Sequence, residues 1–157
     1  EPTQNIRSLG VKLKLSTTKT IVKNKILVLI DDSLVRGTTC HTIVKMLYEA
    51  GAKEVHVRIA CPEIKFPDFY GVDMPTKKEL LANQKTNEEM CEYIKAKSLK
   101  FLSLNGLYEA LEKGKRNNAY PQFSDHYFTG DYPVKPSDNL GEEKVKQLSL
   151  LSSKSSN

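Results

Sequence analysis

The chain has 157 residues, of which 39% are apolar and 27% are charged, and its formal net charge is +5. These values are typical of one globular domain, and no apolar run approaches the ~20 residues that a membrane-spanning helix needs. Cys40, Cys61 and Cys91 are spaced too widely for a CxxC pair or a zinc site. Because no signal-peptide pattern is present, we expect a cytoplasmic protein with reduced thiols. The charge of +5 favours an anionic partner only weakly, and we expect neither membrane nor nucleic-acid partners.

The first half of the chain alternates between strand and helix patterns. Residues 6–16 alternate apolar and lysine side chains, which predicts a half-exposed strand. Residues 26–30 are all apolar, as in a parallel strand covered on both faces. Residues 39–50 have helical apolar spacing, and Gly51 is placed to end that helix in the left-handed conformation. Residues 54–61 return to strand alternation, so the whole stretch predicts a βαβ unit with parallel strands.

The second half of the chain contains shorter elements. A loop containing prolines and aromatic residues occupies residues 62–75, and Thr-x-x-Glu capping boxes at residues 76–79 and 86–89 predict two short helices. Residues 98–104 predict another strand, and Asn105 is placed to cap a helix that ends near Gly114.

The carboxyl-terminal residues have a different composition. Residues 134–157 are rich in Ser, Lys, Glu and Asn, which predicts a disordered tail. We therefore expect one structured unit over residues 1–133.

The strongest chemical signal is the stretch ILVLIDDSLVRGTT at residues 26–39. Asp31 and Asp32 follow an apolar strand, where ligands bind in open α/β sheets, and they suit the hydroxyls of a sugar or a hard cation such as Mg²⁺. The loop after them leads into a helix, whose first N–H groups form a cradle for a phosphate dianion. The stretch therefore predicts a site for a phosphorylated ribose. The candidate phosphate-binding residues are Ser33, Leu34, Val35, Arg36, Gly37, Thr38 and Thr39.

Two other interpretations compete with this site. Asp32 or Ser33 could simply cap the helix through a hydrogen bond of the Asx type. A receiver domain of a response regulator also begins with an apolar strand that ends in paired acids. That fold needs a phosphoacceptor aspartate at the end of a later strand, whereas the candidates here, Asp68 and Asp73, lie in the loop that contains prolines.

Four segments resemble known families. Residues 26–39 resemble the phosphoribosyl-diphosphate motif of type I phosphoribosyltransferases. Residues 1–15 resemble the mobile catalytic loop of amidophosphoribosyltransferases, residues 62–80 resemble a segment peculiar to those enzymes, and residues 128–133 (FTGDYP) resemble their carboxyl-terminal signature. The resemblance implies an α/β fold with the parallel sheet of type I phosphoribosyltransferases, truncated on its amino-terminal side. Residues 1–133 would be the carboxyl-terminal part of that domain.

The resemblance also implies a role for each matched residue. Asp31 and Asp32 would hold the ribose hydroxyls of phosphoribosyl diphosphate and its Mg²⁺, and residues 33–39 would bind the 5-phosphate. Lys14 matches a basic residue on the catalytic loop that would neutralise the departing pyrophosphate. Such a charge acts most strongly where a closing loop excludes water.

The reaction implied by the resemblance opens de novo purine synthesis. Phosphoribosyl diphosphate, glutamine and water give 5-phosphoribosylamine, glutamate and pyrophosphate, with ammonia passing from a glutaminase domain to the transferase domain. That glutaminase uses an amino-terminal cysteine, and the first cysteine here is Cys40. We therefore expect the chain to contain the phosphoribosyl-diphosphate site without the glutaminase half and to be inactive alone. The parent protein is expected to be a homo-oligomer, and an exposed sheet edge or apolar face is expected in this chain.

Some members of the family hold an iron–sulfur cluster. The matching positions are Asp68, Ser124 and Tyr127, none of which provides a thiolate, so we expect no cluster. Two alternative functions stay open at this point. One is a type I transferase that accepts a nucleobase, and the other is a non-catalytic regulatory protein that binds phosphoribosyl diphosphate.

Overall fold

The computed structural model of the chain describes four stretches of sequence, namely residues 19–72, 74, 76–112 and 114–134. These stretches contain six α-helices, one 3-10 helix and three β-strands. In chain order the elements are α1 (Lys19–Val22), β1 (Ile26–Asp31), α2 (Thr38–Glu49), β2 (Glu54–Ile59), the 3-10 helix (Lys77–Glu79), α3 (Leu81–Gln84), α4 (Asn87–Tyr93), β3 (Ser98–Phe101), α5 (Leu104–Ala110) and α6 (His126–Thr129).

The three strands form one parallel sheet in the order β1-β2-β3. Asp31, the last residue of β1, lies opposite Ile59 of β2, and Ile59 in turn lies opposite Phe101 of β3. The three strands therefore end at the same edge of the sheet. The predicted βαβ unit is confirmed, because β1, α2 and β2 follow one another with parallel strands.

The core lies between one face of the sheet and the helices packed on it. Strand β2 alternates as its sequence predicts, with Val55, Val57 and Ile59 buried and the residues between them only partly covered. Helix α2 packs its apolar stripe on the sheet because those side chains recur at helical spacing. The buried residues of this core are Val22, Leu34, Cys40, Val44, Leu47, Val55, Val57, Ile59, Leu81, Met90, Ile94 and Leu99.

Strand β1 is covered on one face only within the described residues. Ile26, Val28 and Ile30 are 58%, 61% and 72% exposed, whereas Leu27 and Leu29 pack against the core. Successive side chains of a strand point to opposite faces, and the described helices cover only the Leu27 side. The expectation that both faces would be covered is therefore wrong for this part of the chain. The expectation of an exposed apolar face agrees with the structure.

The helix boundaries follow most of the predicted caps. Both capping boxes are present, at Thr76 with Glu79 and at Thr86 with Glu89, and Gly51 has a positive φ of 96° after α2.

The last strand and helix differ from the prediction. Strand β3 ends at Phe101, and helix α5 ends at Ala110. Ser103 caps α5 instead of Asn105, because the Ser103 hydroxyl accepts a hydrogen bond from the Gly106 N–H at 3.0 Å. Asn105 already lies inside the first turn of the helix.

Buried polar contacts attach the segment around α6 to the rest of the structure. Asp125 is only 3% exposed, and it accepts hydrogen bonds from the hydroxyl of Tyr108 at 2.8 Å and from the guanidinium of Arg116. These bonds connect the start of α6 to α5 and to the loop between them.

Several predictions fall on residues outside the described stretches. They include the strand at residues 6–16, Lys14 and all of the predicted tail except Val134. No helix within the described stretches is long and apolar enough to cross a membrane.

Candidate functional site

Two carboxylates lie at the carboxyl-terminal edge of the sheet, where β1 ends. The N–H of Asp32 donates to Asp31 Oδ1 at 3.0 Å, and the Ser33 hydroxyl donates to Asp32 Oδ1 at 3.0 Å. One oxygen of each carboxylate is therefore engaged by its neighbour in sequence. Among the described residues, the second oxygen of each accepts no hydrogen bond. These two oxygens are available to a hydroxyl group or a cation.

The helix that follows begins without a side-chain cap. Gly37 is the N-cap residue of α2, with φ of 75°, and the first helical bond runs from the His41 N–H to the Gly37 carbonyl at 2.8 Å. The N–H groups of the first turn have no partner inside a helix, and a glycine has no side chain to satisfy them. Within the described residues, the N–H groups of Thr38 and Thr39 have no acceptor, and they lie at the positive end of a helix of 12 residues. The interpretation that Asp32 or Ser33 caps this helix is wrong.

The loop between the carboxylates and α2 is held by contacts with distant parts of the chain. Leu34 is only 3% exposed and belongs to the core, so it can contribute only backbone atoms to a ligand site. The Val35 carbonyl accepts a hydrogen bond from the Leu81 N–H at 2.9 Å. The Arg36 guanidinium donates to Glu79 at 3.2 Å. The sequence pattern grouped these loop residues together but contained no signal for their distant partners.

Gly37 is closely enclosed by residues from α3 and α4. A Cβ atom at this position would lie 2.7 Å from Leu81 Cδ2 and 3.0 Å from Tyr93 Cε1. The positive φ and the close packing both require glycine here.

Two thiols lie near the carboxylates, and the sequence patterns did not mark them as part of the site. Burial and the negative charges of Asp32 and Asp31 raise the pKa of Cys61 to about 11. Burial and the charge of Asp31 raise the pKa of Cys40 to about 11 as well. Both cysteines therefore stay protonated at neutral pH and act as apolar side chains around the site.

The site offers two protein ligands for a hard cation. Within the described residues, no group of three or more His, Cys, Asp and Glu side chains could hold a metal ion. Mg²⁺ is commonly bound by one or two carboxylates, with water and substrate phosphates completing its octahedron. The free oxygens of Asp31 and Asp32 fit that mode, in which the substrate supplies the remaining ligands.

A second group of polar side chains surrounds Asp68. In some amidophosphoribosyltransferases the matching position holds a cysteine that ligates an iron–sulfur cluster. The Asp68 carboxylate is almost completely buried and accepts hydrogen bonds from His126 Nε2 at 2.8 Å and from the N–H groups of Tyr70 and Val72. Tyr127 also donates to it, whereas Ser124 is exposed. An iron–sulfur cluster needs thiolates, and these positions do not fit one. Its absence stays a prediction.

The surroundings of Asp68 favour its ionised form. Burial alone would raise its pKa, but hydrogen bonds from Val72, His126, Tyr70 and Tyr127 together outweigh burial and lower the pKa to about 2. Asp68 also lies in a loop and contacts α6, so it is not placed at the end of a strand as a receiver phosphoacceptor would be. Asp73, the other candidate for that role, is outside the described residues.

The parallel sheet, the paired acids at its edge and the uncapped helix define the architecture of a type I phosphoribosyltransferase. No protein-family model matches the chain. It is 56% identical over 154 residues to an amidophosphoribosyltransferase of Rhizobium etli, covering 98% of the chain and 31% of that protein. An amidophosphoribosyltransferase of Staphylococcus aureus is 51% identical over 135 residues, covering 85% of the chain and 27% of that protein.

A solved structure agrees with the sequence relatives. The glutamine phosphoribosylpyrophosphate amidotransferase of Bacillus subtilis, complexed with ADP and GMP, matches with a TM-score of 0.69 and 40% identity. The match covers 86% of the chain and 30% of that structure. The chain belongs to the amidophosphoribosyltransferase family. It spans less than a third of the length of each of these relatives.

Replacement of Gly37 by alanine tests the packing of the loop. We expect Gly37→Ala to lower the free energy of unfolding by about 1–3 kcal/mol through backbone strain at positive φ. Overlap with Leu81 and Tyr93 would add a further loss of about 1–3 kcal/mol. Gly114→Ala is the matched control, because Gly114 has φ of 66° and no atom within 4 Å of its Cβ position. If urea denaturation shows the same loss of unfolding free energy in the two variants, the close packing around Gly37 is contradicted.

The acid stability of the chain tests the environment of Asp68. Because its pKa falls from 3.8 to about 2 on folding, its ionisation stabilises the folded state above pH ~4, and this contribution is lost as pH falls towards 2. We expect Asp68→Asn to lower the thermal midpoint at pH 7. The difference in thermal midpoint between wild type and Asp68→Asn should become smaller as the pH falls from ~4 to ~2. A difference in thermal midpoint that stays constant over this range would contradict the lowered pKa of Asp68.

Proposed function

We propose that this chain forms the phosphoribosyl-diphosphate site of an amidophosphoribosyltransferase that catalyses the first committed step of de novo purine synthesis. The observation that carries the proposal is the arrangement at the edge of the sheet. Asp31 and Asp32 lie there, six and five residues before the N-cap Gly37 of an uncapped helix, and the loop between them and that helix is held by distant contacts. The relatives of the chain are amidophosphoribosyltransferases, which supports the same activity.

The two halves of the site would bind two different parts of the substrate. The N–H groups of Thr38 and Thr39, the hydroxyls of Ser33 and both threonines, and the backbone of the loop would hold the 5-phosphate at the positive end of α2. The free oxygens of Asp31 and Asp32 would accept hydrogen bonds from the ribose diol and bind Mg²⁺. When bound, Mg²⁺ would neutralise charge on the diphosphate.

The chemical step needs groups beyond this edge of the sheet. Ammonia displaces pyrophosphate from the anomeric carbon, so negative charge develops on the leaving group. Lys14, which lies outside the described residues, is proposed to stabilise that charge from a closing loop. Glutamine hydrolysis is proposed to occur outside these 157 residues, so this chain alone would bind substrate weakly and turn nothing over.

The wider setting of the protein follows the same proposal. Phosphoribosyl diphosphate and glutamine or ammonia would be its substrates, the cytoplasm its compartment, and a homo-oligomer its assembly. No iron–sulfur cluster is needed for any step, because displacement of pyrophosphate by ammonia involves no change of oxidation state.

Neutral replacements of the two carboxylates test the proposal. In the complete natural gene product, we expect Asp31→Asn and Asp32→Asn each to reduce kcat/KM at least about 100-fold, the scale of losing one electrostatic contact at a reacting centre. The unfolding midpoint should stay near that of wild type, because neither residue caps α2. Glu49→Gln, which removes the same charge from the last residue of α2, is the control and should keep full activity. Wild-type kinetics in both aspartate variants would refute the assignment.

A further inference from the structure

Residues 33–37 are called the phosphate loop below, and two residues outside it hold three consecutive residues of it. Glu79 Oε1 accepts a hydrogen bond from the Arg36 guanidinium at 3.2 Å, across 43 residues of sequence. The Leu81 N–H donates to the Val35 carbonyl at 2.9 Å, and the Leu81 side chain lies against Gly37. The conformation of the loop therefore depends on a segment that follows it by more than 40 residues.

Glu79 is oriented before it meets the loop. Its Oε2 atom accepts hydrogen bonds from the Thr76 N–H at 3.0 Å and from the Thr76 hydroxyl at 2.9 Å, which completes the capping box of the 3-10 helix. Its Oε1 atom is left for Arg36. Because the carboxylate is already fixed, pairing with Arg36 costs little additional side-chain entropy.

The Arg36–Glu79 pair is too exposed to contribute much to the free energy of unfolding. The two side chains are 54% and 49% exposed, and ion pairs in that environment stabilise proteins only slightly. The main effect of the pair is to fix the direction of the Arg36 side chain and the backbone from which it extends. A contact of this kind is expected to influence ligand binding more than unfolding.

We propose that Glu79 and Leu81 are positioning residues for phosphate binding, which hold residues 33–37 in the conformation that the 5-phosphate requires. The inference rests on the proposed function, because it assumes that this loop and the first turn of α2 bind the 5-phosphate. Glu79 and Leu81 act through Arg36 and Val35 and belong to the loop's support. A loop that is already ordered loses little conformational entropy when the ligand binds.

A double-mutant cycle tests the Glu79 contact. Ribose 5-phosphate is titrated calorimetrically into wild type, Glu79→Gln, Arg36→Ala and the double variant. We expect Glu79→Gln to weaken binding about two- to fivefold, the range for an exposed ion pair. In the Arg36→Ala background the same change should have no further effect, because its partner is gone. Glu109→Gln removes a charge from an exposed position of α5 and should leave binding unchanged.

A pair of substitutions at one position tests the Leu81 contact. Leu81 is the first residue of α3, and Leu80 before it is extended, so proline is sterically acceptable there. Leu81→Ala and Leu81→Pro both lose the leucine side chain, but only the proline also removes the N–H that bonds Val35. We expect binding to be about three- to tenfold weaker in Leu81→Pro than in Leu81→Ala.

The outcomes separate this inference from the proposed function. A folded wild-type chain that binds no ribose 5-phosphate would overturn the proposed function and this inference with it. Wild-type binding, with Glu79→Gln equal to Glu109→Gln and the two Leu81 variants equal to each other, would overturn the positioning role alone. If the Leu81 variants do not fold, the Glu79 cycle decides.

A kinetic measurement distinguishes positioning from a purely structural role. In the complete natural gene product, Glu79→Gln is expected to raise KM for phosphoribosyl diphosphate and leave kcat unchanged. The reason is that the 5-phosphate is bound equally in the ground state and the transition state. A fall in kcat at constant KM would contradict the inference.

Discussion

After β1 ends at Asp31, the chain must turn and start α2 at Thr38, and the turn is completed at Gly37. That residue has a positive φ, and a Cβ atom on it would lie within 3.0 Å of side-chain atoms of Leu81 and Tyr93, so a larger residue would have to displace them. The constraint determines where the carboxylates stand relative to the start of α2. It also leaves the first turn of α2 without a side-chain cap, because a glycine in the N-cap position has no side chain to accept a hydrogen bond.

The resulting site combines opposite charges in a small space. The first turn of α2 is positive and attracts an anion, whereas Asp31 and Asp32 repel one and attract a cation or the hydroxyls of a sugar. A ligand that has a phosphate at one end and a diol with a metal-bound diphosphate at the other satisfies both halves. An anion alone would bind only one half of the site. This complementarity is the physical reason to prefer a phosphoribosyl compound over a simple phosphate.

Local sequence patterns predict the strand and helix of the candidate site better than they predict the contacts that support its loop. The strand, the two acids, the loop and the helix start are adjacent in sequence, so local patterns are sufficient to place them. The Arg36–Glu79 and Asp68–His126 contacts join residues 43 and 58 positions apart, and no local pattern specifies such pairs. The apolar run of β1 led to the wrong expectation that both of its faces would be covered, for a related reason. An apolar sequence shows that both faces of a strand can be buried. It does not show whether other segments among the described residues pack on each face.

The contacts between distant residues suggest a structural role for residues 62–80. The sequence of this segment resembles amidophosphoribosyltransferases in particular. At its amino-terminal end, Asp68 connects the segment to α6. At its carboxyl-terminal end, Glu79 connects it to the phosphate loop. The segment therefore bridges the site and the carboxyl-terminal signature, so substitutions in it are expected to affect binding without contacting the ligand.

The central claim is that Gly37 and the first turn of α2 bind the 5-phosphate, and residue-specific amide chemical shifts test it most directly. Ribose 5-phosphate is added to the ¹⁵N-labelled chain, with ribose as the control for the sugar and inorganic phosphate as the control for the anion. We expect the amides of Gly37, Thr38 and Thr39 to shift with ribose 5-phosphate, with one common affinity. Inorganic phosphate should move them more weakly, and ribose alone should leave them unchanged. A folded chain in which these amides do not respond, or in which the responding amides lie on another part of the surface, would contradict it.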